Sequence, residues 1–170
     1  MPPIIEDAAR RGIITAIFVL LFFGLGHMGG IGALLSMAAG IAGVVYVVRS
    51  QRKFDSKEQQ AGEKVSWAVL AAYGVAVSFF ASLLVAVVVY GSLRLQPDFI
   101  VNQLEATIQV LSTMPEYSEL RMQFENMIEQ GHVPTAVDMM CSVLIMMMFT
   151  GLAIGIVGAT IAKISNRRYK

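Results

Sequence analysis

Residues 13–48, IITAIFVLLFFGLGHMGGIGALLSMAAGIAGVVYVV, contain no charged side chain. A single helix over these 36 residues would be about 54 Å long, far more than the ~30 Å hydrocarbon core of a bilayer. Four glycines surround His27 in the middle of the stretch, and clustered glycines favour a turn. The stretch therefore predicts two membrane-spanning helices, of about residues 13–28 and 31–48, joined by a tight turn.

Two further uncharged stretches follow along the chain, at residues 65–93 and 139–162. Each is longer than the roughly 20 residues that a helical crossing requires. With 56% hydrophobic and only 15% charged residues in 170, the composition differs from that of ordinary soluble domains. We therefore expect an all-α, polytopic transmembrane four-helix bundle that forms one domain over residues 1–170, with third and fourth spans of about 65–93 and 136–162.

The segments between the spans differ in character. Residues 49–64, RSQRKFDSKEQQAGEK, are too charged for hydrocarbon and predict a polar linker. Residues 97–134 instead place apolar side chains at spacings of three and four, which is typical of amphipathic helices. One such helix carries Val101, Leu104, Ile108 and Leu111, and a second carries Tyr117, Leu120, Phe124 and Met127. The sequence therefore predicts a short extracytoplasmic pair of helices between the third and fourth spans.

Capping residues delimit these helices. Thr113 with Glu116 matches a capping box at the start of the second amphipathic helix, with Pro115 in its first turn. Gly131 predicts the end of that helix. Thr135 with Asp138 resembles another capping arrangement, which places the start of the fourth span near residue 136.

Basic residues are distributed unequally among the polar segments. Eleven of the 13 Lys and Arg lie in the N-terminal segment, the 49–64 linker and the C-terminal tail. Seven of the 12 Asp and Glu lie in or beside the 97–134 segment instead. Since Lys and Arg accumulate on the cytoplasmic side of a membrane protein, we expect the linker and both termini to be cytoplasmic.

The amphipathic segment is the main candidate for a functional surface. An apolar stripe outside the hydrocarbon core needs a cover, which its own bundle, the membrane surface or another protein can supply. The candidate partner surface consists of Val101, Leu104, Ile108, Leu120 and Phe124. We therefore expect a non-enzymatic interaction or accessory subunit that contacts the lipid bilayer and either a membrane-protein partner or further copies of itself.

Small residues on the second and fourth spans predict close helix packing. Gly151 and Gly155 form a Gly-x-x-x-Gly motif, which lets another backbone approach closely. The complete set of candidate packing glycines is Gly32, Gly40, Gly43, Gly151, Gly155 and Gly158. Such motifs are common within one bundle, and a homodimer face is the alternative.

A small oligomeric transporter or channel is the alternative function. Driven transport usually requires ionisable side chains within the membrane, and the four predicted spans have none near mid-bilayer. His27 lies in the glycine-rich turn, where we expect a solvated side chain. On the third helix, Ser66, Tyr73, Ser78 and Ser82 are candidates for a polar path, but serines also donate to their own helix carbonyls. We therefore expect these four to be packing residues.

Signals for metals, cofactors and nucleic acid are weak. His132, Met139, Met140 and Cys141 supply the imidazole and sulfur ligands that copper(I) accepts. Adjacent methionines point in different directions from a helix, however, and methionine is mostly an apolar packing residue. The sequence contains no recognised catalytic motif, and a net charge of +1 does not favour nucleic acid. We expect no catalytic, cofactor-binding or metal-binding residue.

The layout of the whole chain resembles a family of uncharacterised four-span bacterial inner-membrane proteins, catalogued as a domain of unknown function and found mainly in Bacteroidetes. The resemblance rests on the glycine-broken hairpin, the basic linker at 49–64, Tyr90 to Arg94 at the end of the third span, Pro97-Asp98-Phe99 and the short basic tail. It implies a bacterial inner-membrane location and a four-span fold. It implies no activity and no site residue.

Overall fold

A computed structural model of the chain describes residues 3–26 and 30–167, and all regular structure in these residues is helical. The helices are α1 (Pro3–Gly26), α2 (Gly30–Gln60), α3 (Trp67–Leu95), α4 (Phe99–Ser112), α5 (Ser118–Glu129) and α6 (Ala136–Arg167), with a short 3₁₀ turn at Pro115–Tyr117 before α5. Helices α1, α2, α3 and α6 are long and apolar enough to cross a membrane. The protein is therefore an integral membrane protein with four candidate spans, as the sequence predicted.

Helices α1 and α2 form the hairpin that the glycine-rich break predicted. Phe18 packs against Gly43 and Phe22 against Gly40, where an added methyl group would lie 2.9 Å from the phenyl ring. The later residue of α1, Phe22, contacts the earlier residue of α2, Gly40, so the two helices are antiparallel. The break itself falls on residues 27–29, which include His27 and lie outside the described part of the chain.

Helix α2 continues well beyond the predicted end of the second span. Residues 49–60, most of the predicted polar linker, are helical, and only residues 61–66 connect α2 to α3. Ser50, Gln51, Phe54 and Asp55 lie on a buried face of this extension. The extension is helical because its buried side chains recur at spacings of three and four, as on an amphipathic helix. Helix α1 likewise begins ten residues before the predicted span, at Pro3.

The chain folds into two compact units. The first consists of Met1–Ala86 and Val143–Lys170, and the second consists of Val87–Ser142. In the first unit, α3 lies against α1 and α6: Gly12 contacts Phe80, and Gly151 contacts Ser78. Its core combines one aromatic pair with small and branched apolar residues: Ala8, Val47, Phe54, Leu70, Ala71, Tyr73, Val77, Ala159 and Ala162. The prediction of a single domain stays a prediction.

In the second unit, α4 and α5 contact each other, as their apolar spacing predicted. The capping box predicted at Thr113 and Glu116 is wrong. Thr113 caps the C-terminus of α4, and its hydroxyl donates to the carbonyl oxygen of Val110 at 2.7 Å. Pro115 begins the separate 3₁₀ turn, so α5 starts only at Ser118.

The other two capping predictions are confirmed. Gly131 has a positive φ of 67° just past the end of α5, a conformation that glycine adopts without strain. At the start of α6, the Thr135 backbone N–H donates to Asp138 Oδ2 at 2.9 Å, and the Asp138 N–H donates to Thr135 Oγ1 at 3.3 Å. This reciprocal pair is the capping box that the sequence predicted.

Candidate functional site

Polar side chains from four helices meet in the first unit, at the N-terminal ends of α1 and α3 and the C-terminal halves of α2 and α6. We call this group the helix-end cluster. It comprises Asp7, Arg11, Ser50, Gln51, Asp55, Tyr73 and Lys163. Ser50, Gln51, Asp55 and Tyr73 have at most 1% of their surface exposed.

Asp7 is the acceptor that links α1 to α3. Arg11 Nε donates to Asp7 Oδ2 at 2.8 Å, and the Tyr73 hydroxyl donates to the same oxygen. Arg11 Nη1 also donates to Ser50 Oγ at 3.3 Å, which brings α2 into the group. The Tyr73 ring stacks on Phe54 with 4.5 Å between ring centroids. The Tyr73 hydroxyl thus connects the Asp7–Arg11 ion pair to the stacked aromatic pair.

Asp55 and Lys163 form an ion pair between α2 and α6. Lys163 Nζ lies 2.7 Å from Asp55 Oδ1 and donates a second hydrogen bond to the carbonyl oxygen of Val65 at 2.6 Å. Gln59 Nε2 donates to the other carboxylate oxygen at 2.9 Å. The Asp55 side chain is fully buried. Burial of a carboxylate is costly unless it is paired and hydrogen-bonded, and here both oxygens are engaged.

Gln51 connects three helices through one carboxamide. Its Nε2 donates to the carbonyl oxygens of Leu70 in α3 and Gly155 in α6, both at 2.9 Å. Its Oε1 lies against Gly158, where any side chain would overlap it. Among the described residues, this oxygen has no hydrogen-bond partner. Gln51 therefore determines how closely α6 approaches α2 and α3.

The sequence did not predict the helix-end cluster: it predicted a polar linker at residues 49–64, a packing role for Tyr73, and basic residues placed by topology. One signal was available: Val47, Gln51, Phe54 and Glu58 continue the spacing of the apolar face of α2. The interhelical pairing within the cluster supports a structural role, because it holds the ends of four helices together.

The candidate partner surface lies on α4 and α5. Val101, Leu104, Ile108 and Phe124 are half-buried, and Leu120 is 39% exposed. Neither helix contains a fully buried residue. The second unit therefore brings these five side chains to one helical pair but leaves them partly uncovered.

The candidate packing glycines lie where helices of the chain approach each other. On α2, Gly40 and Gly43 receive the rings of α1, and Gly32 is buried. On α6, Gly151 contacts Ser78, and a methyl group added at Gly155 would lie 3.0 Å from the carbonyl oxygen of Ala71.

The hydroxyls named as candidates for a polar path all make hydrogen bonds within the chain. Ser78 Oγ donates to the carbonyl oxygen of Gly74 at 3.1 Å, and Ser82 Oγ donates to that of Phe79 at 2.8 Å. Ser66 Oγ accepts from the backbone N–H of Val69. Tyr73 donates to Asp7 instead of lining a path.

None of the imidazole and sulfur side chains near the start of α6 is fully buried. His132 and Cys141 are exposed, and His132 Nδ1 lies 3.2 Å from Gln130 Oε1. Within residues 3–26 and 30–167, no three His, Cys, Asp or Glu side chains are placed to hold a metal ion.

Comparison with known proteins identifies a family. The model of a family described as "Protein of unknown function (DUF4199)" matches residues 10–163, which include the helix-end cluster except Asp7 and the whole of α4 and α5. No curated protein and no solved structure matches the chain.

Proposed function

The chain belongs to the DUF4199 family, and from that premise we propose that it is a non-enzymatic accessory subunit whose α4–α5 segment binds a membrane-protein partner. The family resemblance inferred from the sequence is thereby confirmed. Its description assigns no function, so the proposal rests on the residues of this chain. The bacterial source and the inner membrane stay predictions.

The observation that carries the proposal is the partly uncovered apolar stripe on α4 and α5. Both helices place apolar residues on one side, yet neither contains a fully buried residue. An amphipathic helix with an uncovered apolar face can bind in a hydrophobic groove of a partner through side chains one turn apart. Leu104 and Ile108 on α4 have that spacing, as have Leu120 and Phe124 on α5.

Charge on the same segment indicates the chemistry of the partner. Seven of the 12 acidic residues lie in or beside residues 97–134, against two basic residues, Arg94 and Arg121. Opposite charges on the two faces of an interface speed the association of the partners, and like charges disfavour binding of other proteins. We therefore infer that the partner presents an apolar groove with basic residues at its rim.

The orientation in the membrane follows from the other charges. The N-terminal segment, residues 49–64 and the C-terminal tail hold 11 of the 13 Lys and Arg. By the positive-inside rule we place these segments in the cytoplasm and the α4–α5 segment outside it. The partner surface is then extracytoplasmic.

A non-enzymatic role is supported by the pairing of the acidic groups in the helix-end cluster. Asp7 is bonded to Arg11 and Tyr73, and Asp55 is bonded to Lys163 and Gln59. Each of these carboxylates makes a contact between helices, which gives it a structural role.

Polar substitution of the stripe is expected to abolish partner binding and leave the first unit, called the four-helix unit below, folded. The test replaces Leu104, Ile108, Leu120 and Phe124 by serine and measures co-purification of the partner in mild detergent. Removing two or more anchoring side chains from the interface is expected to lower the recovery of the partner about tenfold or more. Each loss of about 1.4 kcal/mol in binding free energy weakens binding tenfold.

The matched control carries serine at four exposed positions of the same two helices: Gln103, Gln109, Gln123 and Asn126. It is expected to retain the partner at the level of the unmodified protein. Unchanged recovery in the stripe variant would contradict the proposal. So would loss of the folded protein itself, because the stripe would then pack on its own chain.

A further inference from the structure

An apolar cleft lies between α1, α2, α3 and α6 within the first unit. Its volume is about 330 Å³. Side chains from all four helices line it, among them Phe18, Phe22, Val44, Ala81, Met147 and Ile154. All of these residues belong to the four candidate membrane spans. The cleft therefore lies among segments whose surrounding solvent is lipid hydrocarbon.

Hydroxyl groups in the cleft are already engaged. Thr15, Ser78 and Thr150 line it, and each donates to the carbonyl oxygen four residues earlier in its own helix, at 2.9, 3.1 and 2.9 Å respectively. A polar solute would lose its hydration here and gain little in return. The chemistry of the lining therefore favours an occupant made of hydrocarbon.

The length of the cleft matches a segment of one hydrocarbon chain. Its lining extends from Thr15 to Phe23 on α1 and from Met146 to Ile154 on α6, which is about 12 Å at 1.5 Å per residue. The cleft therefore has room along its length for about 12 Å of an extended hydrocarbon chain.

The position of the cleft indicates which lipid leaflet would supply a hydrocarbon chain. Thr15 at one end lies one helical turn, or about 6 Å, from Arg11 in the helix-end cluster. From there the cleft extends inward for less than the ~15 Å that one leaflet contributes to the hydrocarbon core. Arg11, Lys53 and Lys57 line one polar pocket beyond this end of the cleft, and basic side chains at such a position attract anionic headgroups. A cleft of this length then reaches the depth of the acyl chains in the same leaflet.

We propose that the cleft binds one acyl chain of a phospholipid from this leaflet, with the headgroup at the level of the helix-end cluster. Apolar spaces within proteins take up apolar ligands in preference to water. An inserted chain gains dispersion contacts that an empty cleft lacks. The bound lipid then fills the space between the α1–α2 hairpin and the α3–α6 pair.

The test uses phosphatidylglycerol that carries a photoactivatable diazirine in one acyl chain, added to the full-length protein in detergent. After irradiation, mass spectrometry of peptides is expected to find label on cleft residues such as Phe18 and Met147. Ala39→Phe, which narrows the cleft from α2, is expected to lower this labelling about tenfold by overlap with the chain.

Ala38→Phe is the matched control, because Ala38 is the exposed neighbour of Ala39 and does not line the cleft. It is expected to label like the unmodified protein. Met147→Phe narrows the same cleft from α6 and should repeat the loss if Ala39→Phe does not fold. Equal labelling of cleft peptides in the narrowed and control variants would overturn the proposal, as would label confined to outward-facing residues.

Discussion

Replacing Gly155 by valine is expected to destabilise the four-helix unit severely, by about 3 kcal/mol or more, because the backbone of α3 leaves no space for a side chain. A methyl group there would lie 3.0 Å from the carbonyl oxygen of Ala71 and 3.2 Å from the backbone nitrogen of Val75. Backbone atoms cannot move aside as the end of a side chain can. Helix α6 would have to shift, and Gln51 would lose its hydrogen bond to the carbonyl of Gly155.

The measurement is the fraction of folded protein against temperature in a mild detergent, followed by resistance to proteolysis. Ala153→Val is the control, since Ala153 is exposed on the same helix and valine there meets no neighbouring backbone. We expect a melting temperature near that of the unmodified protein for the control and little or no folded protein for Gly155→Val. Similar melting temperatures for the two variants would mean that α6 does not pack on α3 through Gly155.

Replacing Asp55 by leucine is expected to cost about 3 kcal/mol, because it leaves Lys163 without its buried partner. The side chain of Asp55 is fully buried, and that of Lys163 is 27% exposed. Removing both charges is expected to restore much of the loss, since an apolar pair often replaces a buried ion pair at little cost. The Asp55→Leu, Lys163→Met double variant is therefore expected to be more stable than Asp55→Leu alone.

A double-mutant cycle by thermal unfolding in detergent measures this coupling. Glu6→Gln is the control, because the Glu6–Arg10 pair is solvent-exposed, with 59% and 76% of the two side chains accessible. Exposed pairs of this kind contribute little, so its melting temperature should stay near that of the unmodified protein. Additive losses in the cycle would show that Asp55 and Lys163 do not interact.

The four candidate spans were predictable because each one is a long uncharged stretch, a local property of the sequence. The glycine-rich break gave the hairpin for the same reason, since its effect on the backbone is local. The capping box at Thr135 and Asp138 was also predictable, because both partners lie within one turn. Thr113 and Glu116 have the same capping-box spacing, but Pro115 begins a separate 3₁₀ turn there. The spacing therefore predicted the wrong start for α5.

The helix-end cluster was not predictable from the sequence, because its partners are far apart along the chain. Lys163 lies 108 positions from Asp55, and the Gly155 carbonyl lies 104 positions from Gln51. The charges of residues 49–64 suggested a solvated linker, and only the packed structure shows that three of its polar side chains, Ser50, Gln51 and Asp55, are buried. The acyl-chain cleft likewise depends on how four helices pack together, which spacing along one helix does not contain.

The most direct test of the proposed role is site-specific photocrosslinking in living cells from the apolar stripe of α4. A photoactivatable amino acid is placed at Leu104 or Ile108, with Gln103 and Gln109 as exposed control positions on the same helix. If the chain is an accessory subunit, the stripe positions capture one other membrane protein in near-equal amount and the control positions do not. Crosslinks from the stripe only to the chain itself or to a second copy of it would contradict that role.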